Sequence, residues 1–119
     1  REQLARYGLA VGDLQDAALV VNATPLGMGI VVTTAGEPEP LPFDVSVLGA
    51  GQIVIDLIYH PATTPLLLAA RAHGLRTVNG LGMLIHQAAH AFRLWTSEEP
   101  PLEAMSAAAV AALSRREPF

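Results

Sequence analysis

Three short apolar segments constrain the fold of this 119-residue chain more than any other feature of its sequence. They cover residues 18–25 (ALVVNATP), 52–61 (QIVIDLIYHP) and 75–80 (LRTVNG). Short runs rich in Val and Ile that stop at Pro or Gly are typical of strands in a parallel sheet. The first two runs predict strands that are buried on both faces of such a sheet.

A helix is predicted between the second and third strands. Residues 63–74 (TTPLLLAARAHG) carry the usual signals at both helix ends. Thr63 or Thr64 is the candidate N-cap, because a hydroxyl oxygen there can accept from a free backbone N–H group. Pro65 suits the first turn and Gly74 the C-terminal stop.

Two further helices are predicted after the third strand. From residue 80 to residue 95 apolar side chains recur with helical spacing, which predicts an amphipathic helix. An Ala-rich helix follows at about residues 102–113, whereas residues 26–42 read as a loop and residues 43–51 as one or two helical turns. The predicted core stripe of the amphipathic helix is Leu81, Leu84, Ile85, Ala88, Phe92 and Trp95.

The order strand, helix, strand, helix, strand, helix, helix predicts an α/β fold in a single unit over residues 1–119. We expect a parallel sheet of about three strands with flanking helices and two C-terminal helices. Ligands of open parallel sheets bind at the carboxyl ends of the strands. The polar residues at this rim are Asn22, Thr24, Asp56, Tyr59 and Asn79.

Composition and charge exclude several classes of protein. Eleven acidic residues against seven basic ones give a net charge of −4 without a block of like charge, so neither nucleic acid nor a membrane surface is an expected partner. The lack of Cys excludes disulfides and thiolate chemistry. No apolar run reaches the roughly 18 residues of a membrane helix, and we expect a cytoplasmic protein. Because the chain starts at Arg1 rather than Met, we also expect a fragment or a processed piece.

The segment HQAAH places His86 and His90 on one face of the amphipathic helix. Histidines four residues apart can bind zinc, but the hydrolytic motif has a Glu where this chain has Gln87. The remaining histidines, His60 and His73, are distant in sequence. We therefore predict surface or rim histidines and no metal site.

Gln87 lies on another face of this helix, together with Gly80, Leu84 and Ala91. Its spacing is compatible with a hydrogen-bonded buried amide or with a ligand contact. The glycines at residues 80–82 (GLG) form a turn in which another backbone or a flat ligand can approach closely.

Asp56 and Tyr59 are candidate functional groups at the end of the second strand. Asp56 could act as a general base or as a helix cap, and Tyr59 could bind a ligand or close the sheet edge. Neither has a partner in sequence that would form a proton-relay pair. The chain has no lysine, and its strand-end hydroxyl residues lack an adjacent base, so the sequence predicts no catalytic residue within it.

Three motifs in this order resemble the carboxyl-terminal half of shikimate dehydrogenases: VVNATPLGM (residues 20–28), VIDLIYHPATTPLL (54–67) and NGLGMLIHQAAHAFRLW (79–95). The resemblance extends over residues 19–113, and quinate/shikimate dehydrogenases share the same motifs. It implies the second part of an NADP-binding Rossmann domain. It also implies that residues 79–114 form C-terminal helices that pack toward a substrate domain absent from this chain.

Shikimate dehydrogenases reduce 3-dehydroshikimate to shikimate with NADPH, a reaction of aromatic amino acid biosynthesis. The resemblance implies three cofactor positions in the NATP segment and two backbone contacts to the nicotinamide. It also implies two side chains that bind the substrate, and it favours the ligand interpretation of Gln87. The implied cofactor residues are Asn22, Ala23, Thr24, Leu57 and Gly80, and the implied substrate residues are Tyr59 and Gln87.

The chain departs from the family pattern in two ways. Asn79 stands where family members commonly have Asp, which leaves open how the glycine turn is anchored. The family's catalytic Lys and Asp pair and its glycine-rich loop are absent, so we expect the isolated chain to be inactive. The competing hypothesis is a non-catalytic half-domain that forms a homodimer through an exposed sheet edge.

Overall fold

The computed structural model describes residues 2–29 and 41–116, and residues 30–40 of the predicted loop lie outside the described part. Two short N-terminal helices were not predicted, because four to six residues are too few for a helical period to register. The described elements are α1 (Glu2–Ala5), α2 (Val11–Asp16), β1 (Leu19–Asn22), a 3-10 helix (Val45–Val47), β2 (Ile53–Asp56), α3 (Pro65–Ala72), β3 (Arg76–Val78), α4 (Leu81–Thr96) and α5 (Leu102–Arg116).

The three strands form one parallel sheet in the order β1-β2-β3, which confirms the predicted fold class. In the register of this sheet Asn22 pairs with Asp56 at the last position of β1 and β2. The polar ends of the two strands therefore lie side by side, as the sequence predicted.

The prediction that the first two strands are buried on both faces is wrong for the described residues. Side chains alternate along β1: Val20 and Asn22 are buried, whereas Leu19 and Val21 are 48% and 45% exposed. The β2 strand alternates between buried and half-buried residues in the same sense. Only one face of the sheet is covered by the described elements, because α3 packs there and nothing described packs on the other.

The hydrophobic core lies between the covered face of the sheet and α3. Val54 is fully buried against this layer, together with residues from the N-terminal helices and from the segment before β2. The largest contribution from α3 comes from Leu66, Leu67 and Ala70, which are 0–1% exposed. Removal of this apolar surface from water is the main force that holds the layers together.

The ends of α3 confirm the predicted helix signals. Thr64 is the N-cap, and its hydroxyl oxygen accepts a hydrogen bond from the Leu67 amide at 3.3 Å. Pro65 is the first helical residue, and Gly74 follows the helix with a φ of +81°. The predicted turn at residues 43–51 contains the 3-10 helix, whose cap Asp44 accepts from the Ser46 amide at 2.9 Å. This hydrogen bond lowers the pKa of the Asp44 carboxyl below its ordinary value.

A buried amide ties together the amino-terminal side of the sheet. The Gln52 side chain donates to the Leu14 carbonyl at 2.7 Å and accepts from the Gly49 amide at 2.7 Å. It also donates to the Ala17 carbonyl. Gln52 thereby links the end of α2 to the segment that enters β2.

The last two helices pack against each other as a hairpin. Ser97 ends α4 with a φ of +59°, and an Arg93–Glu99 ion pair of 3.3 Å spans the turn. Most of the predicted stripe of α4 is half-buried, but the prediction for Trp95 is wrong because this side chain is 84% exposed. Helical spacing identified the face but not whether another element covers its last turn. Within the described ranges, no helix is long and apolar enough to cross a membrane.

Replacement of Leu67 tests where the core lies. Leu67→Ala should lower the free energy of unfolding by about 2–5 kcal/mol, because it leaves a cavity among buried side chains. Leu68→Ala is the matched control: Leu68 is the next residue of α3 and is exposed, so the expected change is within about 0.5 kcal/mol. Urea denaturation measures both, and equal losses would contradict the assignment of the core.

Candidate functional site

A cavity of about 420 Å³ opens beside the carboxyl ends of β1 and β2. This is the rim at which the sequence predicted a ligand site. Among the described residues, the lining includes no carboxylate, lysine or arginine and is mostly apolar. The lining residues are Ala23, Thr24, Pro25, Met28, Gly29, Leu57, Ile58, Tyr59 and His60.

The turn after β1 forms one wall of the cavity. Asn22 is buried, and its side-chain oxygen accepts from the Thr24 amide at 3.0 Å and from the Thr24 hydroxyl at 2.6 Å. The Thr24 hydroxyl oxygen also accepts from the Leu26 amide at 3.3 Å. The Asn22 side chain is therefore engaged inside the protein, and Ala23, Thr24 and Pro25 are the members of NATP that reach the cavity.

The turn after β2 forms the other wall. The Ile58 amide donates to the Asp56 carboxylate at 3.1 Å, which fixes the chain just after the strand. Tyr59 is 38% exposed and lines the cavity. A backbone hydrogen bond of 3.0 Å from the Gly29 amide to the His60 carbonyl joins this wall to the first.

Asp56 lies beneath both walls and is fully buried. One carboxylate oxygen accepts from the Asn22 side-chain amide at 3.1 Å, and the other accepts from the Thr64 hydroxyl at 2.7 Å. Asp56 does not line the cavity, so its position does not support a general-base role. It is not itself a helix cap, but it binds the hydroxyl of the residue that is.

Gly80 lies where the start of α4 meets the end of β2. Its amide donates to the Ile58 carbonyl at 3.0 Å, and a Cβ atom at Gly80 would lie 1.9 Å from the Leu57 carbonyl oxygen. The close approach predicted for this turn therefore involves the protein's own backbone. A Cβ atom at Gly82, by contrast, would have no described neighbour within 4 Å, so this glycine is not needed for packing among the described residues.

Asn79 anchors the glycine turn through both ends of its side-chain amide. It donates to the Ala62 carbonyl at 3.1 Å and accepts from the Leu81 amide at 3.1 Å. An ionised Asp can accept but not donate, so Asn makes a contact to Ala62 that Asp could not make. The departure from the family pattern is thus compatible with a well-anchored turn.

Gln87 is exposed on α4, which excludes the interpretation as a buried amide. It is not among the residues that line the cavity, so the structure does not bring it together with Tyr59 there. His86 and His90 are also exposed. Over residues 2–29 and 41–116, no three His, Cys, Asp or Glu side chains form a group that could hold a metal ion.

Four of the seven predicted site residues, namely Ala23, Thr24, Leu57 and Tyr59, line one cavity. Sequence reasoning did not assign the other five lining residues to the site, namely Pro25, Met28, Gly29, Ile58 and His60. Met28 and His60 fall within the motifs VVNATPLGM and VIDLIYHPATTPLL, so the motifs included them. Spacing could not show that the turns bring them to one cavity.

Substitution of the two glycines separates close packing from helix propensity. Gly80→Ala should lower the free energy of unfolding by about 1–3 kcal/mol, because the new methyl group overlaps the Leu57 carbonyl. Gly82→Ala should raise it by about 0.5 kcal/mol, because Ala favours the helix and meets no neighbour. Thermal unfolding measures both, and a tolerated Gly80→Ala would contradict the close approach.

Comparison with known proteins identifies the family. The model of the shikimate 5'-dehydrogenase C-terminal domain matches residues 80–110. A curated relative, the shikimate dehydrogenase (NADP(+)) of Chlorobium phaeovibrioides, is 48% identical over 99 residues, which are 80% of this chain and 32% of that protein. The chain therefore spans about a third of the length of the curated relatives it matches.

Solved structures agree with this match. The shikimate 5-dehydrogenase of Thermus thermophilus in complex with NADP(H) and shikimate superimposes with a TM-score of 0.74 at 35% identity, over 88% of this chain and 38% of that one. The quinate dehydrogenase of Corynebacterium glutamicum in complex with NAD gives 0.70 at 42% identity, over 85% and 33%. Because sequence and structure agree along most of its length, the chain belongs to the shikimate dehydrogenase family and covers its carboxyl-terminal part.

Proposed function

We propose that this chain supplies the nicotinamide site and part of the substrate site of an NADP-dependent shikimate dehydrogenase. The reaction is the reversible reduction of 3-dehydroshikimate to shikimate. The observation that carries the proposal is the cavity at the ends of β1 and β2 in a chain that is 48% identical to a shikimate dehydrogenase (NADP(+)). The chain contains no lysine, so the proton-transfer residues belong to another part of the enzyme and the isolated chain is inactive.

The walls of the cavity suit a flat, neutral ring with one amide substituent. Ala23 and Thr24 hold it from one side and Leu57 from the other, with a largely apolar lining between them. Gly80 acts through the second wall, because its amide donates to the Ile58 carbonyl and only a residue without a Cβ atom fits beside the Leu57 carbonyl. Asn22 contributes indirectly, because its side-chain oxygen accepts from the Thr24 amide and so holds the turn after β1. When bound, NADPH supplies the hydride, and the protein contributes orientation and exclusion of water.

We assign the contacts with the substrate to Tyr59 and Gln87. The Tyr59 ring lines the cavity, and the residue is exposed enough to offer its hydroxyl to a polar ligand. Gln87 is exposed on α4, outside the cavity, and its amide can both donate and accept. These two residues would hold the hydroxyl and carboxylate groups of shikimate from opposite margins of the site.

The hairpin of α4 and α5, within residues 79–114, packs toward the substrate domain of the enzyme. Support comes from Leu94 and Trp95, which are large apolar residues left exposed at the end of α4. A single folding unit over residues 1–119 is compatible with one continuous sheet and core. We place the enzyme in the cytoplasm, in keeping with its lack of Cys.

The match to a quinate dehydrogenase in complex with NAD keeps a quinate/shikimate dehydrogenase as the alternative substrate assignment. NADP and shikimate are favoured, because curated relatives at 43–51% identity are named shikimate dehydrogenase (NADP(+)).

A chimera tests the proposed function. This chain would replace the matching third of the Chlorobium phaeovibrioides enzyme, to which it is 48% identical. The chimera should reduce 3-dehydroshikimate with NADPH. Gln87→Ala in this chimera should raise KM for shikimate about tenfold with little change in KM for NADP, because it removes a hydrogen bond of about 1.4 kcal/mol to the substrate alone.

His86→Ala is the matched control, since His86 is the exposed neighbour of Gln87 on α4 and should have little effect. Equal effects of Gln87→Ala on both KM values would argue against a substrate contact. A folded chimera without activity would contradict the proposed function.

Self-association is the second candidate function, and one observation favours it. Leu19, Val21 and Val78 are all 45–49% exposed on the face of the sheet that no described element covers. The described part of β1 pairs only with β2, so its outer edge can accept another strand. A second copy of the chain would cover this face and edge in a homodimer.

Analytical ultracentrifugation measures this association directly. The wild-type chain should sediment as a dimer at micromolar concentration, and Val21→Glu should sediment as a monomer because it places a charge on the apolar face. Leu68→Glu is the control, since Leu68 is similarly exposed on the outer side of α3 and its substitution should leave the dimer intact. A monomeric wild-type chain would contradict self-association.

A further inference from the structure

We propose that Asp56 is a positioning residue, whose carboxylate sets the relative placement of the two cavity walls and thereby the affinity for the nicotinamide cofactor. This inference rests on the proposed function and deepens it. Asp56 is fully buried and does not line the cavity, so its effect on a ligand must be indirect.

Three donors from three segments converge on this carboxylate. Oδ1 accepts from the Asn22 side-chain amide at the end of β1 and from the Ile58 amide after β2, both at 3.1 Å. Oδ2 accepts from the Thr64 hydroxyl before α3 at 2.7 Å. No single backbone segment supplies two of these contacts, so the carboxylate joins parts of the chain that are otherwise separate.

Each donor connects Asp56 to a different part of the site. Asn22 also accepts from the amide and hydroxyl of Thr24, and so holds the first wall. Ile58 belongs to the second wall itself. Thr64 also accepts from the Leu67 amide, and so fixes the start of α3 beneath that wall.

The chemistry of the site requires a carboxylate. All three neighbours donate, and only an ionised carboxyl group accepts at both oxygens. Among the described residues Asp56 has no ion-pair partner, so burial of its charge is costly unless each hydrogen bond is kept. Removal of the carboxylate alone would leave the donors of Asn22, Ile58 and Thr64 without their acceptor inside the protein.

Calorimetric titration of the whole chain with NADPH tests the proposal. Asp56→Asn keeps the volume but places an NH₂ group against one of the donors. Gln52→Ala is the control, because Gln52 is also buried and bridges backbone segments, but at the opposite end of β2. The affinity of each variant is corrected for the fraction of protein that is unfolded at the titration temperature. After this correction, Asp56→Asn should weaken NADPH binding about tenfold more than Gln52→Ala does. Unchanged affinity, or equal weakening in both, would overturn the positioning role.

Thr64→Val covers the case in which Asp56→Asn does not fold. This variant removes the hydroxyl that donates to Asp56 and keeps the shape of the side chain. It should weaken NADPH binding, and Thr64→Ser, which restores the hydroxyl, should bring the affinity back toward that of the wild type. Thr64→Val with wild-type affinity would overturn the proposal.

Hydrogen exchange separates failure of this inference from failure of the proposed function. If the wild-type chain binds no NADPH, the cofactor assignment for the chain fails, and the exchange rates of the Thr24 and Ile58 amides decide the positioning role. Both amides should exchange faster in Asp56→Asn, relative to the amide of Val54 in the core, and not in Gln52→Ala. A uniform increase across all three amides would show that Asp56 serves stability alone.

Discussion

The parallel pairing of β1 with β2 is the constraint on which the rest of the site depends. Its register places Asn22 beside Asp56, so the two strands leave the sheet at the same level and their following turns face each other. The bond between the Asn22 amide and the Asp56 carboxylate closes this end of the pair at 3.1 Å. A shift of either strand by one residue would turn its polar side chain to the uncovered face and bring Ala23 or Leu57 into the core position.

The same sheet explains why the chain is incomplete as a hydrophobic unit. One face is covered by α3, and the other leaves Leu19, Val21 and Val78 about half exposed. The α4–α5 hairpin does not compensate, since its helices pack mainly on each other and leave Trp95 in solvent. These surfaces are where the domains of a longer enzyme, or a second copy of the chain, would bury apolar area. The same sheet therefore carries both the proposed active site and the uncovered apolar face.

Much of this fold was predictable because its signals are local. The strand runs, the Thr64 cap, Pro65 and Gly74 each act over a few residues, and the alternation of strand and helix then leaves few topologies. Burial was not predictable to the same degree. Leu19 and Trp95 have the residue types and spacing of core positions, but their exposure depends on whether a distant element covers them. The hydrogen bonds of the Asp56 side chain could not be predicted from the sequence either, because its partners are 2, 8 and 34 residues away.

We propose that the cavity between the turns after β1 and β2 binds the nicotinamide end of NADPH. Amide chemical shifts of the ¹⁵N-labelled chain, followed by NMR during titration with NADPH, test it most directly. We expect saturable shifts concentrated at Ala23, Thr24, Leu57 and Tyr59, with the amides around Gln52 at the opposite end of the sheet unchanged. Shifts that are absent, or that map to the uncovered face of the sheet instead, would contradict it.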